Sequence, residues 1–176
     1  MTYLLIDGYN IIFAWKELEK LANESLAIAR ARLCDILCDY QGVTGLRIIL
    51  VFDAHQVEGG TGAVKEYHNI TVVYTKEAET ADHYIEQTAM ELNKKNRFGG
   101  RRRVIVATSD LLEQIIILSH GATRMSADDL FDDVEAVKKQ LRDKYLTTPP
   151  VKNNPLSGLL DAETAKKLNA MRFGRK

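Results

Sequence analysis

Tyr3-Leu4-Leu5-Ile6-Asp7-Gly8-Tyr9-Asn10 opens the chain with a short apolar run that stops on an aspartate. The lack of polar alternation marks a strand covered on both faces, as strands of parallel sheets are. The same ending recurs: Leu46 to Phe52 runs into Asp53, and Arg103 to Ser109 runs into Asp110. The stretch Ile70 to Thr75 leads instead into a helix that carries Glu79, Asp82 and Glu86. Strands alternating with helical segments predict parallel pairing with right-handed crossovers. The expectation is a three-layer α/β/α domain with a mainly parallel central sheet of about five strands, Tyr3–Ile6, Leu46–Phe52, Ile70–Thr75, Val104–Thr108 and Ala122–Met125.

Between the strands, apolar residues recur at helical spacing. Leu26, Ile28, Ala29, Leu33, Ile36 and Leu37 predict a helix from about Asn23 to Tyr40, with Gly42 as its C-cap. Further helices are expected over about Ala78–Asn93, Leu111–Ser119 and Ser126–Tyr145, the last N-capped by Ser126. Asp7-Gly8-Tyr9-Asn10 reads as a loop in which glycine permits a tight turn, and Glu58–Gly62 as a loop or hairpin tip. Pro149 and Pro150 end the compact region. The division is therefore residues 1–146 as one domain and 147–176 as a linker and basic tail with a short helix around Asp161–Met171.

At 176 residues, 45% hydrophobic and 27% charged, the chain is the size and composition of one globular domain. Its longest apolar runs are strand length, which argues against a membrane span, and the N-terminus lacks a basic leader, so a cytoplasmic location is expected. Cys34 and Cys38 share a helix face with Ala27, Ala31 and Leu37 and read as reduced core thiols. Formal net charge is zero, but the charges are segregated. Lys94, Lys95, Arg97, Arg101, Arg102 and Arg103 crowd one ten-residue segment, and six basic residues face two acids in the tail. The acids gather near the strand ends and in Asp128–Glu135. Such segregation suits a polyanionic substrate cut at a metal.

Parallel strands place their carboxyl ends on one edge, where such sheets bind ligands. Asp7, Asp53, Asp82 and Asp110 therefore converge on one crevice, and hard oxygen donors there select Mg²⁺ or Mn²⁺. The chemistry expected is that of a metal-dependent phosphodiesterase. Plainer readings stand beside it. Asp7 is also a candidate loop cap, and Glu79 and Asp82 also suit a helix dipole. Asn10 either holds a water or phosphate oxygen or caps the next segment, and Ser109 either caps a helix or offers its hydroxyl. Asp53 is read as an orienter of the ligands. The four histidines form no ligand pattern, and no P-loop, G-x-S-x-G or H-E-x-x-H motif is present.

Asp7-Gly8-Tyr9-Asn10, Val51-Phe52-Asp53-Ala54, Thr80-Ala81-Asp82 and Ala107-Thr108-Ser109-Asp110, in that order, resemble the NYN domain, a branch of the PIN-like nucleases, and most closely its YacP-like bacterial group. The resemblance spans about Met1 to Tyr145. It implies a PIN-like sheet and cleavage of single-stranded RNA with Mg²⁺ or Mn²⁺, within that group of messenger RNA in association with the ribosome. It carries metal-site roles onto Asp7, Asp82 and Asp110, with Asn10 and Asp53 nearby; Glu79 is less securely matched. The alternative from another class is a non-catalytic RNA- or ribosome-binding module of the same fold. A haloacid-dehalogenase-type phosphatase would need an aspartate where Tyr9 stands. Lys94 to Arg103 falls at the opposite sheet edge, one helix length of ~25 Å from the acids, and is expected to dock long RNA or the ribosome.

Overall fold

The computed structural model describes residues 1–53, 62–76, 78–94, 103–109 and 122–147, with side chains to 143. The chain forms two compact units, Met1–Gln140 and Leu141–Lys176. The second is described only over 141–147, where it is helical. The expected helix at Leu111–Ser119 and the expected tail helix lie outside the described residues.

Among the described residues of the first unit, six strands form one sheet: β1 (Thr2–Asp7), β2 (Arg47–Phe52), β3 (Ala63–Tyr67), β4 (Ile70–Tyr74), β5 (Arg103–Ala107) and β6 (Thr123–Met125). Their order is β3-β4-β2-β1-β5-β6. Every neighbouring pair is parallel except the hairpin β3–β4. Among the described residues five helices accompany them: α1 (Gly8–Ala14), α2 (Lys16–Glu24), α3 (Leu26–Thr44), α4 (Ala81–Lys94) and α5 (Ala127–Thr147). Among the described residues no helix is long and apolar enough to cross a membrane.

The expected α/β architecture with a mainly parallel sheet is the one found, and its cores explain it. Leu4, Ile6, Leu50, Phe52 and Val72 pack on one face with α1, α2, α3 and α5. Leu5, Val51, Val73 and Val106 pack on the other with Ala81, Ile85 and Ala89 of α4. Successive strand residues point to opposite faces; with both faces covered, every position must be apolar.

Several sequence expectations are corrected. Gly8 does not turn a loop: it is the first residue of α1, and Asp7 is the N-cap. Glycine is needed there because a Cβ would lie 2.2 Å from Cε1 of Phe52. The expected helix from about Asn23 is α3, which starts at Leu26 after Ser25, and two helices absent from the expected pattern, α1 and α2, precede it. Trp15 is extended between α1 and α2, where its indole Nε1 donates to the carbonyl of Ala127 at 3.0 Å. The C-cap of α3 is Gly45 in the left-handed region, φ 68°, rather than Gly42. A sixth strand, β3, was missing from the expected pattern, and its hairpin turns at His68-Asn69, with His68 at φ 52°. Helix α4 begins at Ala81, so Glu79 precedes it and shares no helical stripe with Asp82. Ser126 caps α5 as expected: its Oγ accepts from the Asp129 amide at 3.0 Å, and Asp129 Oδ2 accepts from the Ser126 amide at 3.1 Å. Cys34 and Cys38 are unbridged, and burial pushes the Cys34 thiol up to about 12.

Candidate active site

The register of the sheet brings the acids together. Asp7 pairs with Val51, two residues before Asp53, and Ile6 pairs with Ala107, two residues before Ser109. Asp7 shares its side of β1 with Leu5, which packs against the α4 face. The amino end of α4 arrives on that face, capped by Thr80, whose Oγ1 accepts from the His83 amide at 3.3 Å. Asp82 stands in its first turn.

A cleft of about 520 Å³ opens where these segments meet. Asp7, Tyr9, Asn10, Phe13 and Ala14 line it from the β1–α1 junction, Asp53 from the end of β2, and Thr80, Ala81 and Asp82 from the start of α4. Ser109 lines it from the end of β5, whereas Thr108 is fully buried. Glu79 and Glu86 are not among the described residues of this lining. Asp110, the third expected metal ligand, lies outside the described residues, directly after Ser109.

Asp7 is only 6% exposed, and burial is the main cause that raises its pKa above the usual carboxylate value, with the charge of Asp53 adding to the rise. Asn10 opposes the shift. Its backbone amide donates to Oδ1 of Asp7 at 3.1 Å and its side-chain Nδ2 donates to Oδ2 at 2.8 Å. The Ser109 hydroxyl in turn donates to Asn10 Oδ1. Ser109, Asn10 and Asp7 thus form a directed chain of donors that ends on the carboxylate. Asp7 caps α1 and also lines the cleft, and Asn10 binds Asp7 rather than capping a later segment. The aromatic residues of the lining, Tyr9 and Phe13, have no site role in the sequence reading. The signal for Phe13 was the three-residue spacing Asp7, Asn10, Phe13, legible only once α1 is known to be a helix.

The donor set fits a hard divalent cation. Three aspartates line one cleft, and among the described residues no lysine or arginine does. A buried carboxylate under such repulsion is stabilised by a cation. Among the described residues no three acids or histidines are grouped closely enough to hold an ion by themselves, so a complete site would draw on Asp110.

The family model of the YacP-like NYN domain matches residues 4–173. Over 141 residues, 80% of this chain and 79% of the relative, the sequence is 42% identical to the uncharacterized protein YacP of Bacillus subtilis (strain 168). The crystal structure of Rae1 (YacP) from Bacillus subtilis superposes with a TM-score of 0.73 at 37% identity, covering 99% of this chain and 96% of that one. A tryptophan-to-leucine mutant of the same protein gives 0.71 at 35% identity, covering 97% and 99%. With the family model matching nearly the whole chain and a relative 42% identical over 80% of it, the chain belongs to the YacP-like NYN domain family.

Proposed function

We propose that the protein is a metal-dependent endoribonuclease of single-stranded RNA, with messenger RNA on the ribosome as its physiological substrate. The observation that carries the reading is the convergence of Asp7, Asp53 and Asp82 from three segments on one cleft. Family membership supports the nuclease class, and the ribosome enters through the resemblance of the four motifs to the YacP-like group. Asp7, Asp82 and Asp110 would hold Mg²⁺ or Mn²⁺, which when bound supplies charge neutralisation at the scissile phosphate and a water of lowered pKa. Asn10 orients Asp7 and opposes the rise in its pKa, Ser109 holds Asn10, and Asp53 completes the acidic wall.

Cleavage of a single-stranded oligoribonucleotide with Mg²⁺ or Mn²⁺, and with EDTA, tests the reading. Asp82→Asn is the informative variant because Asp82 is exposed and its change leaves the core intact. The expected loss is about a hundredfold or more in rate. Wild-type rates in Asp82→Asn would remove Asp82 from the site. Metal-dependent binding without any cleavage, on free RNA and on translating ribosomes alike, would favour the non-catalytic module.

A further inference from the structure

Phe13 leaves 49% of its surface exposed on the wall of a cleft that Asp7, Asp53 and Asp82 also line. Single exposed hydrophobic residues are ordinary on protein surfaces. Two observations separate Phe13 from the ordinary case. Its ring is held in a stack: Tyr9 and Phe13 lie 6.4 Å apart at 26°, Tyr9 meets Phe52 edge-on at 5.2 Å, and Phe52 stacks on Tyr74 at 5.7 Å. The Tyr9 hydroxyl accepts from Arg30 at 2.9 Å, which anchors the stack behind the ring. The second observation is position. Asp7, Asn10 and Phe13 recur every three residues, so one side of α1 presents a carboxylate, an amide and an aromatic ring to the same cleft within ~9 Å of helix axis.

We infer that Phe13 is the stacking platform for an unpaired nucleobase next to the scissile phosphate; the inference rests on the nuclease reading above. The described side-chain charges of the cleft are acidic and repel a polyanion until a metal offsets them. Stacking of a base on an aromatic ring needs no charge and tolerates any base. It also selects for single strands, because the faces of a duplex base are already covered by its neighbours. One ring therefore supplies local affinity where electrostatics opposes it and rejects paired RNA.

The test uses oligoribonucleotides with 2-aminopurine at successive positions, titrated with the full-length Asp82→Asn variant and Mg²⁺, so that binding is read without cleavage. One position should be quenched on binding. The quench should vanish with Phe13→Leu, which keeps an apolar side chain, and persist with Phe13→Trp. In the Asp82-intact protein, Phe13→Leu should raise KM about tenfold with little change in kcat. An abasic substitution at the quenched position should raise KM equally, and the two changes should not add. If wild type cleaves RNA while Phe13→Leu keeps its KM and its quenching pattern, the platform is overturned and the nuclease reading stands. If wild type cleaves nothing but a Phe13-dependent quench is seen, the platform stands and the nuclease reading falls. Absence of any Phe13-dependent quench or KM change also overturns the platform.

Discussion

Burial and Asn10 act on Asp7 in opposite directions. Burial alone favours the protonated acid, and Asp53 pushes the same way, while two donors from Asn10 favour the carboxylate. Removing the side-chain donor with Asn10→Ala should therefore raise the Asp7 pKa further. The acidic limb of a pH profile of kcat/KM is expected to move to higher pH, with the plateau reduced less than tenfold; an unmoved limb would detach Asn10 from the ionisation of Asp7. The sign for stability follows from the same shift. The folded-state value of Asp7 lies above its ordinary 3.8, so the native state holds the proton more tightly. That stabilising contribution is full below 3.8 and is lost as pH rises through the folded value. At neutral pH the buried carboxylate is a cost that a divalent ion would remove. Mg²⁺ or Mn²⁺ should raise Tm more near pH 8 than near pH 5, and Asp82→Asn should lose most of that rise. A metal effect on Tm independent of pH would place the ion away from Asp7.

The junction of β1 and α1 sets the mouth of the site. Gly8 is packed against the fully buried Phe52, with Cε1, Cδ1 and Cζ at 2.2, 2.5 and 2.9 Å from where a Cβ would stand. Phe52 is itself held between Tyr9 and Tyr74, so it has little room to yield. Gly8→Ala should lower stability by about 1–3 kcal/mol through overpacking, read as a fall in Tm, and lower activity by displacing Asp7. Relief of both losses by adding Phe52→Leu would confirm the clash; a Gly8→Ala protein of unchanged Tm would refute it. The elements that escaped the sequence reading share a cause. Helix α1 has seven residues, too few to show a period, and its Ile11-Ile12-Phe13 run lacks polar spacing. Strand β3 is an edge with Val64, Lys65 and Glu66 exposed, so it carries no apolar stripe and hides beside the conspicuous β4. Glu79 reads from sequence as part of a helix starting near Ala78, three residues before Asp82; Thr80 takes the cap instead and leaves Glu79 outside the helix.

At the scale of the molecule, the α/β class was legible because strands buried on both faces must be apolar throughout, and the cleft was legible because parallel strands end together. The side-chain chain Ser109–Asn10–Asp7 was not, since it depends on register between β1 and β5. The same register gives the basic segment its place. Arg103, exposed at the start of β5, pairs with Thr2 at the start of β1, and Asp7 is at the other end of that strand. Lys94 ends α4, a helix of 14 residues or ~21 Å, whose opposite end carries Asp82. Both described cations thus stand at the edge of the sheet away from the acids, while Lys95, Arg97, Arg101 and Arg102 lie outside the described residues. Phosphate contacts add affinity in proportion to the counterions they release. At that separation Lys94 and Arg103 would reach a long RNA or a ribosome but not the nucleotide in the cleft. Changing Arg101, Arg102 and Arg103 together to Ala should weaken binding of ribosomes or long RNA and flatten its salt dependence. Cleavage of a short oligonucleotide should stay within about twofold, since pairs farther apart than a Debye length are screened. Equal losses on short and long substrates would place the arginines in the cleft, and unchanged binding of both would leave them as a solvated edge.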